Sequence, residues 1–491
     1  MNGQHAVLLA ADDAGAKVRT YVPGYPITDL AAALKAQISV NEKVALEIAL
    51  GASATGSRSL VLVKQVGMNV LADPLVISAT QTIGSGLVII AGDDLGPRRS
   101  QAEMDSRFYG PLSELPVLDP RSPEHLYASI MEAYALSEKL RIPAIVRVTS
   151  RLLATSSSTI PRQSFPETGQ DFERSSLELT MRGRHQRHHD MILTRAAEAS
   201  ESTTLNRRQV CKDSDVGIIA SGFPVALAEE LGVSLLSIAY TNPLPRKMLS
   251  RFIEDHRLIL VAEEPEPFIE SQLGMSPKVL GKLTGHLPRG LLERADIIQA
   301  LETLDEVPQE VPQAYETVKE RGYAPVCEDC PFIPLFRALS KLDVPVAGDA
   351  GCSIRATREP YEAVDVVYGL GSSVGVASGF RKKGVAVIGD YALVHSGLQA
   401  LINAVWQKRD VLAVILKNDV AAMTGGQEAP DLTALLEALV PTQMLELPVS
   451  EEELLKLLLE LLAASGVSAV VASGKCIRSD ADTTYKTTRI T

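Results

Sequence analysis

Short apolar runs alternate with helical patterns along most of this 491-residue chain, and this alternation limits the folds that it can adopt. Residues 59–63, 86–92 and 143–148 are almost entirely apolar and short enough for strands, as in a parallel sheet that is covered on both faces. Helical patterns separate these runs, at residues 41–55 and 123–140. The pattern predicts an α/β fold of parallel sheets flanked by helices.

The sequence also predicts where the chain divides. Its length favours about three domains at roughly 150 residues each, and a polar stretch and a proline-containing stretch interrupt the alternation. We expect a first α/β domain at residues 1–155, a linker arm at 156–213, a smaller middle α/β domain at 214–310, a connector at 311–325 and a third α/β domain at 326–491. Strands of the third domain are predicted at residues 344–348, 364–368, 385–390, 411–416 and 467–472.

Composition bears on partners and on compartment. The net charge of −12 argues against nucleic acid and anionic membranes as partners, since both require a basic surface. No apolar run reaches the length of about 18 residues that a transmembrane helix needs, and the first residues lack the pattern of a signal peptide. We therefore expect a cytoplasmic protein in a reducing compartment. There a Cys-x-x-Cys pair more often serves metal binding or redox chemistry than a structural disulfide.

Polar residues end two successive predicted strands of the third domain. Asp390 and Asn418 stand at strand ends, and in a parallel sheet such ends meet at one edge. With the main-chain carbonyl of Val420, a diphosphate and water, these residues can complete the octahedral oxygen shell of Mg²⁺. An ordinary strand–turn–helix with a capping aspartate explains the spacing equally well. The small residues from Gly369, where main-chain N–H groups could cradle a diphosphate, and the run that begins at Met423 favour a thiamine diphosphate site.

Four of the five cysteines also fall at meaningful positions. Cys327 and Cys330 form a Cys-x-x-Cys pair before a predicted helix, Cys352 follows a short apolar run, and Cys476 follows a predicted strand. Four sulfurs can hold Zn²⁺ or a [4Fe–4S] cluster, and their spacing does not discriminate between the two. A neighbouring thiamine site favours the cluster, because a cluster accepts electrons and zinc does not. Cys211 is predicted to be an ordinary thiol.

The first domain offers three further candidates. Glu42 begins a predicted helix; its carboxylate can hydrogen-bond the aminopyrimidine of thiamine, or it can be an acidic first-turn residue favoured by the helix dipole. Thr28 follows a Tyr-Pro turn and is predicted to be a helix N-cap. Arg107 can bind a substrate carboxylate in bidentate fashion, although most such arginines lie on the surface.

Two other stretches have simpler interpretations. His185, His188 and His189 lie in a basic segment without a carboxylate or thiol at suitable spacing, so a solvated arm is favoured over a metal site. Residues 451–462 are rich in Glu and Leu, which predicts an amphipathic helix of the third domain.

Taken in order, the motifs resemble those of the 2-oxoacid:ferredoxin oxidoreductases. The likeness is greatest to the alpha subunits that act on indolepyruvate, and it runs nearly from end to end. The motifs that carry it lie at residues 24–26, 41–45, 66–74, 100–101, 105–109, 218–222, 243–245, 263–270, 327–331, 348–352, 395–397, 401–405 and 422–427.

This resemblance implies a fold and a set of site residues. It implies a thiamine diphosphate-binding fold with a pyrimidine-binding first domain, a middle domain like the C-terminal domain of transketolase, and a diphosphate-binding third domain. Glu42 would face the pyrimidine ring, and Thr28 and Arg107 would lie in the substrate pocket. Asp390, Asn418 and the Val420 carbonyl would hold Mg²⁺. The other implied contacts with the cofactor are Gly369, Gly371, Gly389, His395, Met423 and Thr424, and the implied ligands of a [4Fe–4S] cluster are Cys327, Cys330, Cys352 and Cys476.

The implied reaction is oxidative decarboxylation of a 2-oxoacid, with an aryl pyruvate as the candidate substrate. Coenzyme A would take the acyl group, and ferredoxin or a partner subunit would take the electrons. A small gamma- or beta-type subunit and assembly as a homodimer or heterotetramer are further expectations. The alternatives are a non-oxidative thiamine-dependent decarboxylase and a non-catalytic subunit of a redox complex.

The sequence departs from the family pattern at several positions. It ends soon after Cys476, where such alpha subunits usually continue into a ferredoxin-like domain. Tyr391 stands where many thiamine enzymes carry Gly, Phe332 where His is usual, and Val420 and Ala421 replace a polar pair. We therefore expect an altered substrate or redox partner.

Overall fold

The structure is a computed structural model that describes residues 1–96, 100, 102–157, 159–166, 190–274, 276–306 and 325–477. The chain forms two compact units, Met1–Arg321 and Gly322–Thr491. The predicted His-rich stretch, with His185, His188 and His189, and the predicted connector up to residue 324 lie outside the described residues.

Unit 1 contains twelve described strands in two sheets. In chain order they are β1 Val18–Tyr21, β2 Gln37–Ile38, β3 Ser59–Lys64, β4 Leu87–Asp93, β5 Val117–Leu118, β6 Ala144–Thr149, β7 Arg207–Gln209, β8 Val216–Ser221, β9 Ser234–Ile238, β10 Tyr240–Asn242, β11 Leu258–Ala262 and β12 Val279–Leu280.

Parallel pairing dominates both sheets of unit 1. The larger sheet has the strand order β10-β5-β6-β4-β3-β1-β2, and its antiparallel pair is β10 with β5. The smaller sheet has the order β12-β11-β8-β9-β7, and its antiparallel pair is β7 with β9. The chain passes from β9 of the smaller sheet to β10 of the larger one across Ala239 alone. The two sheets are therefore joined within one unit, and the domain boundaries drawn from the sequence stay predictions.

Helices accompany the strands of unit 1, and several begin at a residue whose side chain caps them. Asn41 accepts a hydrogen bond from the Val44 N–H, and Ser122 accepts one from the His125 N–H. The described helices are Gly3–Asp13, Thr28–Ala33, Glu42–Ala54, Gln65–Gly67, Met68–Ala79, Ser106–Phe108, Tyr109–Ser113, Pro123–Leu140, Ser150–Ala154, Ile192–Ala196, Ala197–Ser202, Pro224–Ala228, Arg246–Glu254, Phe268–Leu273 and Arg294–Glu302.

A buried arginine joins the two sheets of unit 1. Arg147 on β6 donates to Asp93 of β4 (Nε–Oδ2 2.7 Å), to Asp119 (Nη1–Oδ1 3.2 Å) and to the main-chain oxygen of Glu264 after β11 (3.1 Å). Asp119 also accepts a hydrogen bond from Ser221 at the end of β8. A guanidinium that is 2% exposed is stable in the interior because carboxylates and a carbonyl satisfy its donors.

Unit 2 is built on a six-stranded sheet in which every pairing is parallel. Its strands are β13 Val346–Gly348, β14 Val366–Val367, β15 Gly384–Gly389, β16 Val411–Lys417, β19 Thr442–Glu446 and β20 Val467–Ser473, and a two-stranded ribbon is formed by β17 Val420–Ala421 and β18 Gln427–Glu428. The described helices are Ile333–Leu339, Cys352–Ala356, Ser373–Ala377, Asp390–Ala392, Leu393–Gly397, Leu398–Trp406, Thr433–Leu439 and Glu451–Ala463. The predicted α/β fold with parallel sheets is confirmed.

Most predicted strands of the third domain are present, with two differences. The edge strand β19 was not predicted, because its sequence Thr-Gln-Met-Leu-Glu is half polar and half exposed and lacks a continuous apolar run. The sequence predicted a helix between β15 and β16 from about Ser396, but the helix after β15 begins at Asp390, directly at the end of the strand. An acidic residue in the first turn suits the positive end of the helix dipole, and the Asp390 carboxylate accepts the N–H of Tyr391.

The amphipathic helix predicted at residues 451–462 is confirmed as Glu451–Ala463. Ser450 and Glu453 form a capping box at its start. Leu454 and Leu458 enter the hydrophobic core of unit 2, where the helix packs against Ile333–Leu339. No helix among the described residues is both long and apolar enough to cross a membrane.

Two leucines on this helix provide a test of the core. Leu454 is 1% exposed and Leu459 is 52% exposed. We expect Leu454→Ala to lower the free energy of unfolding of unit 2 by about 2–5 kcal/mol, because it removes buried methyl groups and leaves a cavity. The matched control Leu459→Ala should change it by less than about 0.5 kcal/mol. Urea denaturation measures both variants, and equal losses would contradict the packing described.

Candidate active site

The carboxyl ends of the parallel strands of unit 2 form one edge of its sheet. The strand order is β14-β13-β15-β16-β20-β19. After β13 the chain forms β14 on one side of β13, and it then crosses to form β15 on the other side. The crevice between the carboxyl ends of β13 and β15 is therefore a topological switch point, where open α/β sheets bind ligands. Asp349 follows β13, Asp390 follows β15 and Asn418 follows β16. The sheet brings together the residues that the sequence predicted for a metal site.

Asp390 is the most constrained of these residues. One carboxylate oxygen accepts the N–H of Tyr391 at 2.7 Å, and the other accepts the N–H groups of Asn418 at 2.9 Å and Asp419 at 2.6 Å. Burial raises the pKa of Asp390 above its ordinary range, and these N–H groups act in the opposite direction. The carboxylate thereby ties β15 to the turn after β16, and its remaining lone pairs can serve a cation.

Asn418 and Val420 lie in this same turn. The side-chain oxygen of Asn418 accepts the N–H of Val420 at 3.2 Å, and Asn418 is 8% exposed. Beside them Lys417 pairs with Asp419 at 2.5 Å. A carboxylate, an amide oxygen and a main-chain carbonyl within one short turn are the hard oxygen donors that Mg²⁺ prefers.

Glycines after β14 and at the end of β15 differ in the space around them. A Cβ at Gly369 or at Gly389 would meet no atom within 4 Å. Gly371 differs, because it has φ +78° and its Cβ would overlap Ser396 Oγ and lie 2.7 Å from the Ala392 carbonyl oxygen. Gly371 is therefore required by the backbone, whereas Gly369 and Gly389 border room that a cofactor can occupy.

Asp349 is a further candidate, which belongs to the motif at residues 348–352 but was assigned no role from the sequence. It is fully buried, and its Oδ1 accepts the Ser353 hydroxyl at 2.8 Å. Burial raises its pKa to about 6, although Ser353 and the N–H groups of Gly351 and Gly371 lower it. Its Oδ2 has no partner of hydrogen-bond geometry in the described part of the chain. The signal was available in the sequence, since Asp349 directly follows a short apolar strand, as Asp390 does.

The other predicted cofactor contacts lie on the segments that follow β15 and β16. His395 is 4% exposed and its Nδ1 lies 3.1 Å from Ser396 Oγ. That hydroxyl donates to the main-chain oxygen of Leu370 at 2.8 Å, so it joins the glycine loop to the helix. Met423 and Thr424 lie in the turn between β17 and β18, where Thr424 Oγ1 is 3.4 Å from the Ala421 oxygen.

The four predicted cluster cysteines line one cavity of unit 2. Asn418 and Met423 line the same cavity, which connects the thiols with the turn that carries the predicted Mg²⁺ ligands. Phe332, which stands where the family pattern has His, contributes an apolar wall and is 1% exposed. The cavity therefore unites the four cysteines Cys327, Cys330, Cys352 and Cys476, which are far apart in sequence.

These thiols influence one another. Burial, with smaller contributions from the neighbouring Cys327 and Cys476, raises the pKa of Cys330 to about 11. Burial, with smaller contributions from Cys330 and Cys476, raises the pKa of Cys352 to about 12. Such thiols remain protonated unless a metal centre or a cation stabilises the thiolates.

Among the described residues no group of three or more His, Cys, Asp or Glu side chains has the geometry of a site for a single metal ion. A mononuclear zinc site requires its four thiolates at about 2.3 Å from one ion. A [4Fe–4S] cluster takes one thiolate on each of its irons. The four thiols that line the cavity are candidate ligands, and the cluster expected from the resemblance stays a prediction.

Two of the predicted residues of unit 1 lie at the start of helices. Glu42 begins the helix Glu42–Ala54 and is 8% exposed, and its carboxylate is so close to Gly67 that a Cβ there would overlap it. Thr28 is the first residue of its helix and not the N-cap, which is Ile27. That part of the prediction was wrong, because the Thr28 hydroxyl instead pairs with the main chain of Gly24 (2.8 Å from its N–H and 3.0 Å from its oxygen).

Arg107 is fully buried in unit 1. Its guanidinium donates to Asp105 (Nη2–Oδ2 2.6 Å), to Glu263 (Nη1–Oε2 2.8 Å) and to the main-chain oxygen of Glu266 (3.0 Å). Burial lowers the pKa of Arg107, but Asp105 and Glu263 more than offset this and raise it above its ordinary value. To bind a substrate carboxylate, this guanidinium would first have to release one of these partners.

Comparison with known proteins agrees with this architecture. Residues 349–471 match the family model of the thiamine pyrophosphate enzyme C-terminal TPP-binding domain. This range begins at Asp349 and includes Asp390 and Asn418. The fold and the matched domain define the class, which is that of thiamine diphosphate-dependent enzymes.

Curated relatives narrow the class. The chain is 32% identical over 478 residues to the indolepyruvate oxidoreductase subunit IorA of Archaeoglobus fulgidus, across 87% of this chain and 76% of the relative. The IorA subunits of Methanothermobacter thermautotrophicus and Methanothermobacter marburgensis are 30% and 32% identical, each across 88% of this chain and 76% of the relative. The chain belongs to this family of oxidoreductase subunits, which confirms the resemblance seen in its motifs.

Solved structures are more distant. A 2-oxoglutarate:ferredoxin oxidoreductase from Magnetococcus marinus, solved with 2-oxoglutarate, coenzyme A and succinyl-CoA, is 14% identical. It aligns with a TM-score of 0.46 over 63% of this chain and 65% of that chain. A likeness of this size carries no argument about the site.

Gly369 and Gly371, two residues apart in one loop, form a matched pair for mutation. Gly371→Ala is expected to lower the free energy of unfolding of unit 2 by at least about 1–2 kcal/mol, because alanine is strained at positive φ and would collide with Ser396. Gly369→Ala should change stability by less than about 0.5 kcal/mol and weaken thiamine diphosphate binding, because its methyl group fills the open space. Urea denaturation and calorimetric titration with the cofactor measure the two effects. Unchanged cofactor affinity in Gly369→Ala would argue against this space as the cradle.

The buried Asp349 predicts a pH dependence. Its pKa of about 6 in the folded state exceeds the value of about 3.9 of an unfolded chain, so between these values the folded state binds more protons. The free energy of unfolding should therefore fall as pH rises from about 4 to about 6, by about 2–3 kcal/mol from this group.

Asp349→Asn tests this dependence, because Asn does not ionise. Its stability relative to the wild type, in cofactor-free protein, should increase over this pH range and level off above it. Asp343→Asn, at an exposed position of the same unit, is the control for loss of one charge. Parallel pH profiles for wild type and Asp349→Asn would contradict the prediction.

Proposed function

We propose that this chain catalyses the thiamine diphosphate-dependent oxidative decarboxylation of a 2-oxoacid of the aryl pyruvate class and passes the electrons through a [4Fe–4S] cluster. The observation that carries the proposal is the single cavity lined by four cysteines together with Asn418 and Met423. An electron acceptor held by these thiols would lie directly beside the turn of Asn418 and Val420, where the cofactor is proposed to bind. This proximity favours oxidative chemistry over simple decarboxylation.

Residues of unit 2 would hold the cofactor. Asp390, Asn418 and the Val420 carbonyl would bind Mg²⁺, and the open space at Gly369 and Gly389 would receive the diphosphate. The bound cofactor supplies a stabilised carbanion equivalent, which permits loss of carbon dioxide from a 2-oxoacid. The Asp390 side chain is oriented for this role by three main-chain N–H groups, so it does not have to reorganise when the cation binds.

In unit 1, Glu42 is the candidate for proton handling. Its buried carboxylate, positioned against Gly67, would hydrogen-bond the aminopyrimidine ring and hold or release a proton there. Thr28, which is half-buried beside Gly24, is the proposed substrate contact. The substrate role predicted for Arg107 stays a prediction, and its ion pairs with Asp105 and Glu263 indicate that the residue also stabilises the interior of unit 1.

The proposed reaction balances as follows. The C–C bond to the carboxylate breaks and carbon dioxide leaves, the acyl group forms a thioester bond with the sulfur of coenzyme A, the thiol proton is released, and the two electrons leave one at a time through the cluster to the acceptor. Ferredoxin or a partner subunit is the proposed acceptor, and a small gamma- or beta-type subunit is the proposed partner in a homodimer or heterotetramer. A reducing cytoplasm suits such a centre, because oxygen degrades exposed iron–sulfur clusters.

The first experiment is anaerobic purification followed by iron and sulfide assays and an absorption spectrum, before and after addition of a panel of 2-oxoacids that includes indolepyruvate. We expect a brown protein with about four irons per chain, whose absorbance near ~400 nm is bleached by an aryl pyruvate in the presence of coenzyme A. A colourless or zinc-containing protein that still releases carbon dioxide would establish the non-oxidative alternative instead.

Single cysteine variants refine this test. Cys352→Ser should reduce the iron content to well below half and abolish bleaching, because oxygen is a poor substitute for a thiolate ligand. Cys211→Ser removes a thiol of unit 1 and should leave both iron content and bleaching unchanged. Equal iron content in the two variants would contradict the assignment of Cys352 as a ligand.

A further inference from the structure

Arg355 lies at the cysteine cavity and no role has been assigned to it. It belongs to the short helix Cys352–Ala356 and lines the cavity with the four thiols. Its Nη1 is 3.7 Å from Cys327 Sγ, within reach of an N–H···S hydrogen bond, and 3.2 Å from the Pro325 carbonyl oxygen.

The Nε atom of Arg355 provides a second observation. It is buried and has no hydrogen-bond partner in the part of the chain that the structure describes. A buried guanidinium N–H without a partner costs free energy. Sulfur atoms of a cluster in the adjacent cavity are acceptors that would remove this cost.

Arg355 shares the cavity with the other three thiols as well. Cys330, Cys352 and Cys476 line it together with Cys327 and Arg355. Among the described residues that line this cavity none carries a carboxylate, whereas Arg355 brings a positive charge to it. Partial removal from water strengthens the interaction of such a charge with its neighbours.

We propose that Arg355 sets the reduction potential of the cluster held by the four cysteines. This inference rests on the proposed function. One-electron reduction of the cluster, with the electron taken from 2-oxoacid oxidation and later given to the acceptor, adds one negative charge to the cavity. A guanidinium at this distance stabilises the reduced form more than the oxidised form and raises the potential, as hydrogen bonds and charge near such clusters do.

A purely structural role for Arg355 makes different predictions. Its hydrogen bond to the Pro325 carbonyl could serve only to hold the segment before Cys327. In that case a substitution would lower the iron content or the melting temperature, and the clusters that remain would keep their potential. The reduction potential is therefore the measurement that separates the two roles.

The test is a redox titration of the anaerobically purified full chain with dithionite, followed by electron paramagnetic resonance. Arg355→Met should shift the equilibrium for cluster reduction at least tenfold toward the oxidised form, which corresponds to about 59 mV for one electron. Arg355→Lys keeps the charge and should shift it less. Arg358→Met, which removes an exposed arginine three residues away, should leave the potential unchanged.

The outcomes are distinct. A wild-type protein without iron and sulfide would overturn the proposed function itself. A wild-type cluster whose potential is unchanged in Arg355→Met would overturn this inference alone, and so would equal shifts in Arg355→Met and Arg358→Met. If Arg355→Met takes up no cluster, Arg355→Gln decides, because it removes the charge but keeps side-chain N–H donors, and an unchanged potential in this variant would exclude tuning by the charge of Arg355.

Discussion

In unit 2, parallel pairing of β13, β15, β16 and β20 places the carboxyl ends of four strands on one edge of the sheet. Asp349, Asp390, Asn418 and Cys476 all lie at or shortly after such an end. An antiparallel arrangement would send alternate ends to opposite edges and separate these residues by the length of a strand. The turn that carries Asn418 lies at the cysteine cavity as a consequence of strand direction.

A second feature of this edge is the presence of buried polar groups that lack hydrogen-bond partners among the described residues. The Oδ2 of Asp349 and the Nε of Arg355 lack hydrogen-bond partners among the described residues, and burial raises the pKa values of Cys330 and Cys352. Native interiors rarely retain such groups without a reason. Asp349 and Arg355 both follow β13, at the edge of the sheet where the cofactor and the cluster are proposed to bind.

In unit 1, two buried arginines are paired with carboxylates of the same unit. Arg107 and Arg147 are surrounded by Asp93, Asp105, Asp119 and Glu263, so their donors are matched within the chain. Burial raises the pKa of Asp93 to about 6, while Arg147 draws it down. Removing one member of such a pair leaves an uncompensated buried charge, which is why these residues hold the two sheets of unit 1 in one arrangement.

Much of the fold was readable from the sequence, because continuous apolar runs such as residues 411–416 and 467–472 are typical of strands buried in a parallel sheet. Local patterns also predicted the start of the helix at Glu42 and the helix over 123–140. The edge strand β19 was missed because it is half polar. An edge strand needs no continuous apolar run, and such runs were the basis of the strand predictions. The order of the motifs along the chain was enough to place it in its family, and the comparisons confirm this.

Relations between distant residues were decided by the tertiary structure alone. The sequence marked Asp390, Asn418 and four cysteines as candidates, but their common cavity follows from the strand order, which no local pattern encodes. Arg107 illustrates the limit most directly, because the Glu263 carboxylate and the Glu266 main-chain oxygen that it binds lie more than a hundred residues away in sequence. Only folding brings these groups to it. Local propensity and hydrophobic periodicity act over a few residues, whereas burial, pKa and the composition of a site depend on which strands become neighbours.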